Sequence, residues 1–167
     1  NSYLLEKYMN YYNPYNEFEL QEKRLTELFR DASEKAYAED QIDFSNYDLI
    51  VVFHAGIGQD FSLPFLDPTP EDIPSTYIDN SMINEHLDLS SIVINDHLIE
   101  HGIILPESQN HLLFDISESM FSDASEPCEY QYGMTGTFVL MIGFAVGLPP
   151  LWNIDTGESG VGVFGLM

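Results

Sequence analysis

Every basic residue of this chain lies near its start: Lys7, Lys23, Arg24, Arg30 and Lys35 are all it has, and residues 36–167 hold 21 acids and no Lys or Arg. The main body is therefore a nearly pure polyanion, whose ion pairs within the chain can come only from the first 35 residues. The net charge of -23 excludes nucleic acid as an ordinary partner, because phosphate binding needs a cationic face. An anionic membrane surface is excluded for the same reason. What remains is solubility with self-repulsion, divalent cations, or a basic protein partner. Taken alone, the charge reads as an acidic surface suited to an extracellular or saline setting.

With 167 residues and 44% hydrophobic content, the chain can bury a real core. The expected division is an aromatic arm over residues 1–14 and one domain over residues 15–167. No stretch reaches the roughly 18 uninterrupted apolar residues of a membrane span. Residues 137–150 come nearest but are too short and too broken by glycine, so no membrane insertion is expected. The chain begins at Asn1 with no targeting pattern, as a processed or excerpted polypeptide would. The lone Cys128 cannot close an internal disulfide, and burial is its expected fate.

Periodicity orders the rest. Phe18, Leu25, Leu28, Phe29, Ala32 and Ala36 recur at helical spacing and predict an amphipathic helix of about six turns. Residues 48–53 read as a buried strand, 54–75 as a Pro- and Gly-rich loop, 75–78 as a short strand, and 82–89 as a helical turn. Residues 91–105 read as a hairpin that turns at Asn95-Asp96. Residues 106–133 read as acidic and irregular, with one helical turn over 116–121. A helix over 136–146 then crosses under the sheet. The class is α/β (α+β), with a mixed sheet and a long N-terminal helix.

The chain's last third carries a pattern of another kind. Gly147-Leu148-Pro149 is followed by an aromatic, by Asp155-Thr156-Gly157 and by Gly-Val-Gly-Val-Phe-Gly-Leu-Met at 160–167. This resembles the immune-inhibitor-A-type secreted metallopeptidases, whose active helix reads HExxHxxGLPDLYD and runs on to a GxGxWxLM segment. Residues 50–79, with Phe53-His54-Ala55-Gly56, and the run Gly102 to Glu107 resemble the same family's approach to that helix, so the likeness covers roughly residues 45–167. It implies the N-terminal lobe of a zincin-like fold, incomplete at its C-terminal end, with 136–146 as the former active-site helix.

Carried over in that register, the first zinc-binding His falls on Leu140, the catalytic Glu on Met141, the second His on Phe144, and the third ligand on Pro150. None of the four offers an imidazole or a carboxylate, and a thioether suits metals softer than zinc. Water attack on a peptide bond then lacks both its base and its metal-bound hydroxide. The resemblance thus implies a pseudopeptidase of a secreted or cell-surface bacterial protein, with no catalytic residues. Such a module would be structural or protein-binding, its old cleft holding an extended peptide along a sheet edge.

Other residues compete for a site. His97-Leu98-Ile99-Glu100-His101 spells the inverted zincin motif HxxEH, but its strand-like flanks place it on an arm of the hairpin, where it cannot present both imidazoles from one helix. His54 follows an apolar run and is a candidate cleft residue; the plainer reading is a hydrogen-bonded His at a strand terminus. Asp60, Asp67 and Asp72 in one loop, and Asp155 with Glu158 in another, are candidate calcium ligands, although neither loop matches an EF-hand. Two alternatives follow: an active metallopeptidase that recruits His54, His97 or His101, and an assembly subunit whose arm tyrosines (Tyr3, Tyr8, Tyr11, Tyr12 and Tyr15) form an interface.

Overall fold

The computed structural model describes residues 1–15, 17–60, 70–109, 134–153, 156 and 158. The short helix α1 (Met9–Tyr12) leads into α2 (Phe18–Asp40), which is as long as the apolar spacing predicts. Leu25, Leu28, Phe29 and Ala36 form its buried stripe, and the helix ends where Gln41 turns into the left-handed region with φ 55°. Each large apolar side chain fully buried there contributes roughly 1.5–3 kcal/mol.

The main sheet has the order β1-β5-β2, built from β1 (Val51–Gly58), β2 (Thr76–Ile78) and β5 (Gly102–Gln109). β1 runs parallel to β5 and β2 antiparallel to it, so the sheet is mixed, as expected. Ile103, Ile104 and Leu105 of β5 are all fully buried. A strand covered on both faces needs such a continuous apolar run. On one face Gly102 lies against the Phe29 ring of α2, with Ile78 and Ile104 in the same core. On the other face the last helix, α4 (Thr135–Ala145), packs against β2 and β5. Among the described residues this is a layered α/β arrangement, with α2 on one face and α4 on the other.

A second, two-stranded sheet joins β3 (Ile92–Ile94) to β4 (His97–Ile99). Asn95 and Asp96 make the turn with φ of 50° and 63°. Two consecutive positive φ values are the mark of a type I′ turn, whose twist matches that of the strands it joins. Between β2 and β3 lies α3 (Asn80–Leu87), capped by Asp79, whose carboxylate accepts the Met82 N–H at 2.9 Å.

The structure corrects several expectations. The hairpin occupies residues 92–99 alone; Gly102 onward leaves it for the main sheet and continues to Gln109, through residues expected to be irregular. β1 begins at Val51 rather than at residue 48 and extends to Gly58; among the described residues it pairs with β5 alone, and with Phe53 and Ile57 exposed it is not the buried strand expected. Its register shifts between His54 and Ile57, where Gly56 takes φ 93° and its N–H is held by the Glu107 carboxylate at 3.1 Å. A bulge of this kind bends the strand and increases its local twist.

Residues 1–14 are folded onto α2. Tyr12 is buried, and its hydroxyl donates to Asp31 at 2.9 Å; Tyr11 donates to Glu27 at 2.8 Å and Tyr3 to Asp40 at 2.6 Å. Asn13 is also buried and donates through Nδ2 to the Asp72 carbonyl at 2.6 Å. Three of the arm's five tyrosines are thus engaged on α2, while Tyr8 and Tyr15, with Leu4, stay exposed. The helical turn expected over 116–121, Cys128, His111, Asp67, Asp155 and the glycine-rich run at 160–167 lie outside the described residues.

Candidate functional site

The helix α4 and the sheet face beneath it are where the sequence placed the chemistry. Residues 134–153 carry no charged side chain at all. The helix closes with a Schellman motif: the Gly147 N–H bonds to the Phe144 carbonyl and the Leu148 N–H to the Gly143 carbonyl, each at 2.9 Å, with Gly147 at φ 83°. The Gly of Gly-Leu-Pro therefore has a local backbone reason to be there.

Leu140, Met141, Phe144 and Pro150 are each half-buried. Phe144 stands between two aromatic rings, 6.2 Å from Tyr77 of β2 and 6.0 Å from Trp152, which it meets edge-on. Tyr77 continues the row to His101 at 6.2 Å. Burial, with the Asp79 charge nearby, raises the Tyr77 phenol above its ordinary value, so it stays neutral. Packed aromatic rings at these distances are worth about 0.5–1.5 kcal/mol per pair. The surface of α4 has a cohesive role here, and its own side chains carry no titratable acid or base. Val139, Val146, Leu148 and Leu151 remain exposed on the other side of it.

Two of the histidines, His54 and His101, are engaged on backbone. His54 lies within β1 rather than at its end, and both its ring nitrogens face carbonyls, Nδ1 that of Ala55 and Nε2 that of Ile73, each at 3.0 Å. His101 Nε2 is 3.2 Å from the Asp48 carbonyl. His97 begins β4, so the HxxEH residues start on a strand, as their flanks predict, and do not share a helix. Among the described residues no three His, Cys, Asp or Glu side chains stand close enough together to hold a metal ion.

The acidic candidates are likewise used locally where they are described. The Asp60 carboxylate accepts both the backbone N–H and the hydroxyl of Ser75, the latter at 2.6 Å, which makes it a loop clasp. Asp72 offers its carbonyl to Asn13. Glu158 is exposed, and its own carbonyl accepts the Asn153 N–H at 2.8 Å.

Sequence reasoning missed two features of this region. One is the Glu107 clamp on the β1 bulge. The other is the open outer side of β1, which among the described residues pairs with β5 alone. The alternation of Val51 to Ile57 gave a weak signal for an edge, since Ala55-Gly56 interrupts it. Comparison of the chain with protein-family models, with curated proteins and with solved structures gave no match.

Proposed function

We propose that this chain is a non-catalytic, zincin-like binding module of a secreted or cell-surface protein, which holds an extended peptide along the outer edge of β1. The observation that carries the reading is the contrast between two neighbouring surfaces. Where the resemblance would put zinc ligands, Phe144 is stacked between Tyr77 and Trp152 and Leu140 and Met141 offer no ligand atom suited to zinc. β1, in contrast, pairs with β5 alone among the described residues and exposes Phe53 (60%) and Ile57 (46%). An edge with apolar side chains at intervals gives an extended peptide backbone bonds for affinity and side-chain contacts for selection.

The test uses a displayed library of linear peptides, applied to the purified chain with zinc and calcium present. Binders should be recovered uncut, and Phe53→Ser with Ile57→Ser should weaken them by about thirtyfold, the loss of two apolar contacts near 1 kcal/mol each. Cleaved peptides would overturn the non-catalytic reading. Uncut binders indifferent to both substitutions would remove the β1 edge as the site.

A further inference from the structure

Away from β1's outer edge and from α4, a cleft of about 250 Å³ opens between the segment leading into β1 and strand β4. Tyr47, Asp48, Leu98, Glu100 and His101 are among its walls. The two walls are fastened to each other: His101 Nε2 lies 3.2 Å from the Asp48 carbonyl, and the Ile103 N–H bonds to the Ile50 carbonyl at 3.0 Å. The cleft is therefore a fixed feature of the hairpin's attachment.

Its rim is apolar and acidic together. Tyr47 is 60% exposed, Leu98 56% and Val93, the cross-strand partner of Leu98, 60%. The Asp48 and Glu100 side chains are exposed, and among the described residues neither receives a hydrogen bond or an ion pair. No lysine or arginine of the same part of the chain can reach them, because residues 36–167 have none; the neighbouring basic side chains are the imidazoles of His97 and His101. Four of the five basic residues of the first 35 are committed elsewhere, Lys7 and Arg30 to Asp31, Arg24 to Glu27, and Lys35 to Glu39, while Lys23 of α2 makes no ion pair among the described residues.

We infer that this cleft receives an arginine or lysine side chain from a basic segment of a protein partner. A cleft of about 250 Å³ has room for one long side chain. The carboxylates supply the charge complement, the Tyr47 ring a face for a cation, and the Val93–Leu98 pair the apolar ground for the segment's flanking residues. Complementarity of this kind selects a partner and speeds encounter more than it adds affinity. The inference is separate from the β1 edge and survives if that edge binds nothing.

The test must separate a built site from the general attraction of a polyanion for cations. The probe is a fluorescein-labelled heptapeptide alternating leucine and arginine, read by anisotropy at about 0.15 M salt, where surface charges more than about 8 Å apart are screened. Asp48→Asn with Glu100→Gln should weaken binding by about tenfold, and Leu98→Ser by about threefold. Glu19→Gln with Glu85→Gln removes the same charge from exposed sites elsewhere, and should weaken binding by less than about twofold. All these side chains are exposed, and far-UV circular dichroism checks that each variant is folded. Equal losses from the two charge pairs would overturn the inference in favour of non-specific attraction. Displacement of the peptide by millimolar magnesium, abolished by Asp48→Asn, would overturn it in favour of a cation site.

Discussion

Tyr12 donates its phenol hydroxyl to the Asp31 carboxylate at 2.9 Å, and this bond fastens the N-terminal segment to α2. Asp31 also accepts from Lys7 at 2.8 Å and from Arg30 at 2.7 Å, so one half-buried carboxylate gathers three donors. Removing the charge leaves those donors without it. Asp31→Asn should lower stability by about 2 kcal/mol, and Tyr12→Phe, which loses one hydroxyl, by about 1 kcal/mol. Urea unfolding followed by circular dichroism gives both numbers; equal, negligible losses would mean that the segment is held by apolar packing alone.

The same residues set an acid limit. Burial disfavours the charged form of Asp31, but the hydrogen bonds from Lys7, Arg30 and Tyr12 outweigh it and hold the carboxyl below its ordinary value. Glu27 behaves alike: burial opposes its charge, and Arg24 and Tyr11 more than compensate. A carboxyl depressed in the folded state stabilises above its unfolded value, near 4, and that contribution is lost as pH falls through the lower folded value. Stability should therefore be level from about pH 7 down to about 5 as far as these groups decide it, and drop below about 4. In Asp31→Asn the drop should be shallower, which parallel urea titrations at several pH values would show. An unchanged slope would take Asp31 out of the acid response.

Gly102 begins β5 with its α-carbon against the Phe29 ring, and a Cβ there would overlap that ring. Phe29 is fully buried and cannot swing out to solvent. Gly102→Ala should cost about 1–3 kcal/mol through displacement of α2 from the sheet. Pairing it with Phe29→Leu should recover part of the loss, and a failure of the pair to recover anything would place the strain in the backbone instead.

What the sequence disclosed and what it hid divide along the range of the interactions. The stripe Leu25, Leu28, Phe29 made α2 legible because a helix's apolar face is written at short spacing. Asn95-Asp96 made the hairpin turn legible for the same reason, since those residues tolerate positive φ. The end of β5 was hidden by Pro106 and Glu107, which read as loop. Beyond Ile104, however, β5 has no partner on the β2 side among the described residues, and there a residue without an N–H is tolerated. The docking of the first residues was hidden too, because Tyr3 meets Asp40 across 37 positions and Tyr12 meets Asp31 across 19. The absence of ligand side chains at 140, 141, 144 and 150 was plain in the sequence, whereas the aromatic row around Phe144 needed Tyr77 and Trp152 brought to it.

Gly147 ends α4 at φ 83°, in a region that a side chain enters only at a cost. Its Cβ would meet nothing within 4 Å, so the cost of a substitution is conformational and not steric crowding. Gly147→Ala should destabilise by about 1 kcal/mol and show itself first as faster amide exchange in the last turn of α4. An unaltered exchange pattern would mean that the helix end is fixed by Trp152 packing rather than by the Schellman bonds.

The non-catalytic reading makes a prediction that a general loss of folding cannot imitate. Met141 is the position at which the resemblance puts a catalytic Glu, and it is half-buried on a helix that has no charge of its own. Met141→Glu restores the base but leaves Leu140, Phe144 and Pro150 without a ligand atom, and a base with no bound water to activate does no chemistry. The variant, folded and saturated with zinc, should release no fluorescence from a quenched casein substrate above the level of the parent chain. Building Leu140→His, Met141→Glu and Phe144→His together supplies two imidazoles one turn apart, and should raise zinc affinity even without a third ligand. It should also cost about 1 kcal/mol of stability, because Phe144 leaves its place between Tyr77 and Trp152. Proteolysis by Met141→Glu alone would show that the metal is held by other residues, and would return the chain to the active peptidases.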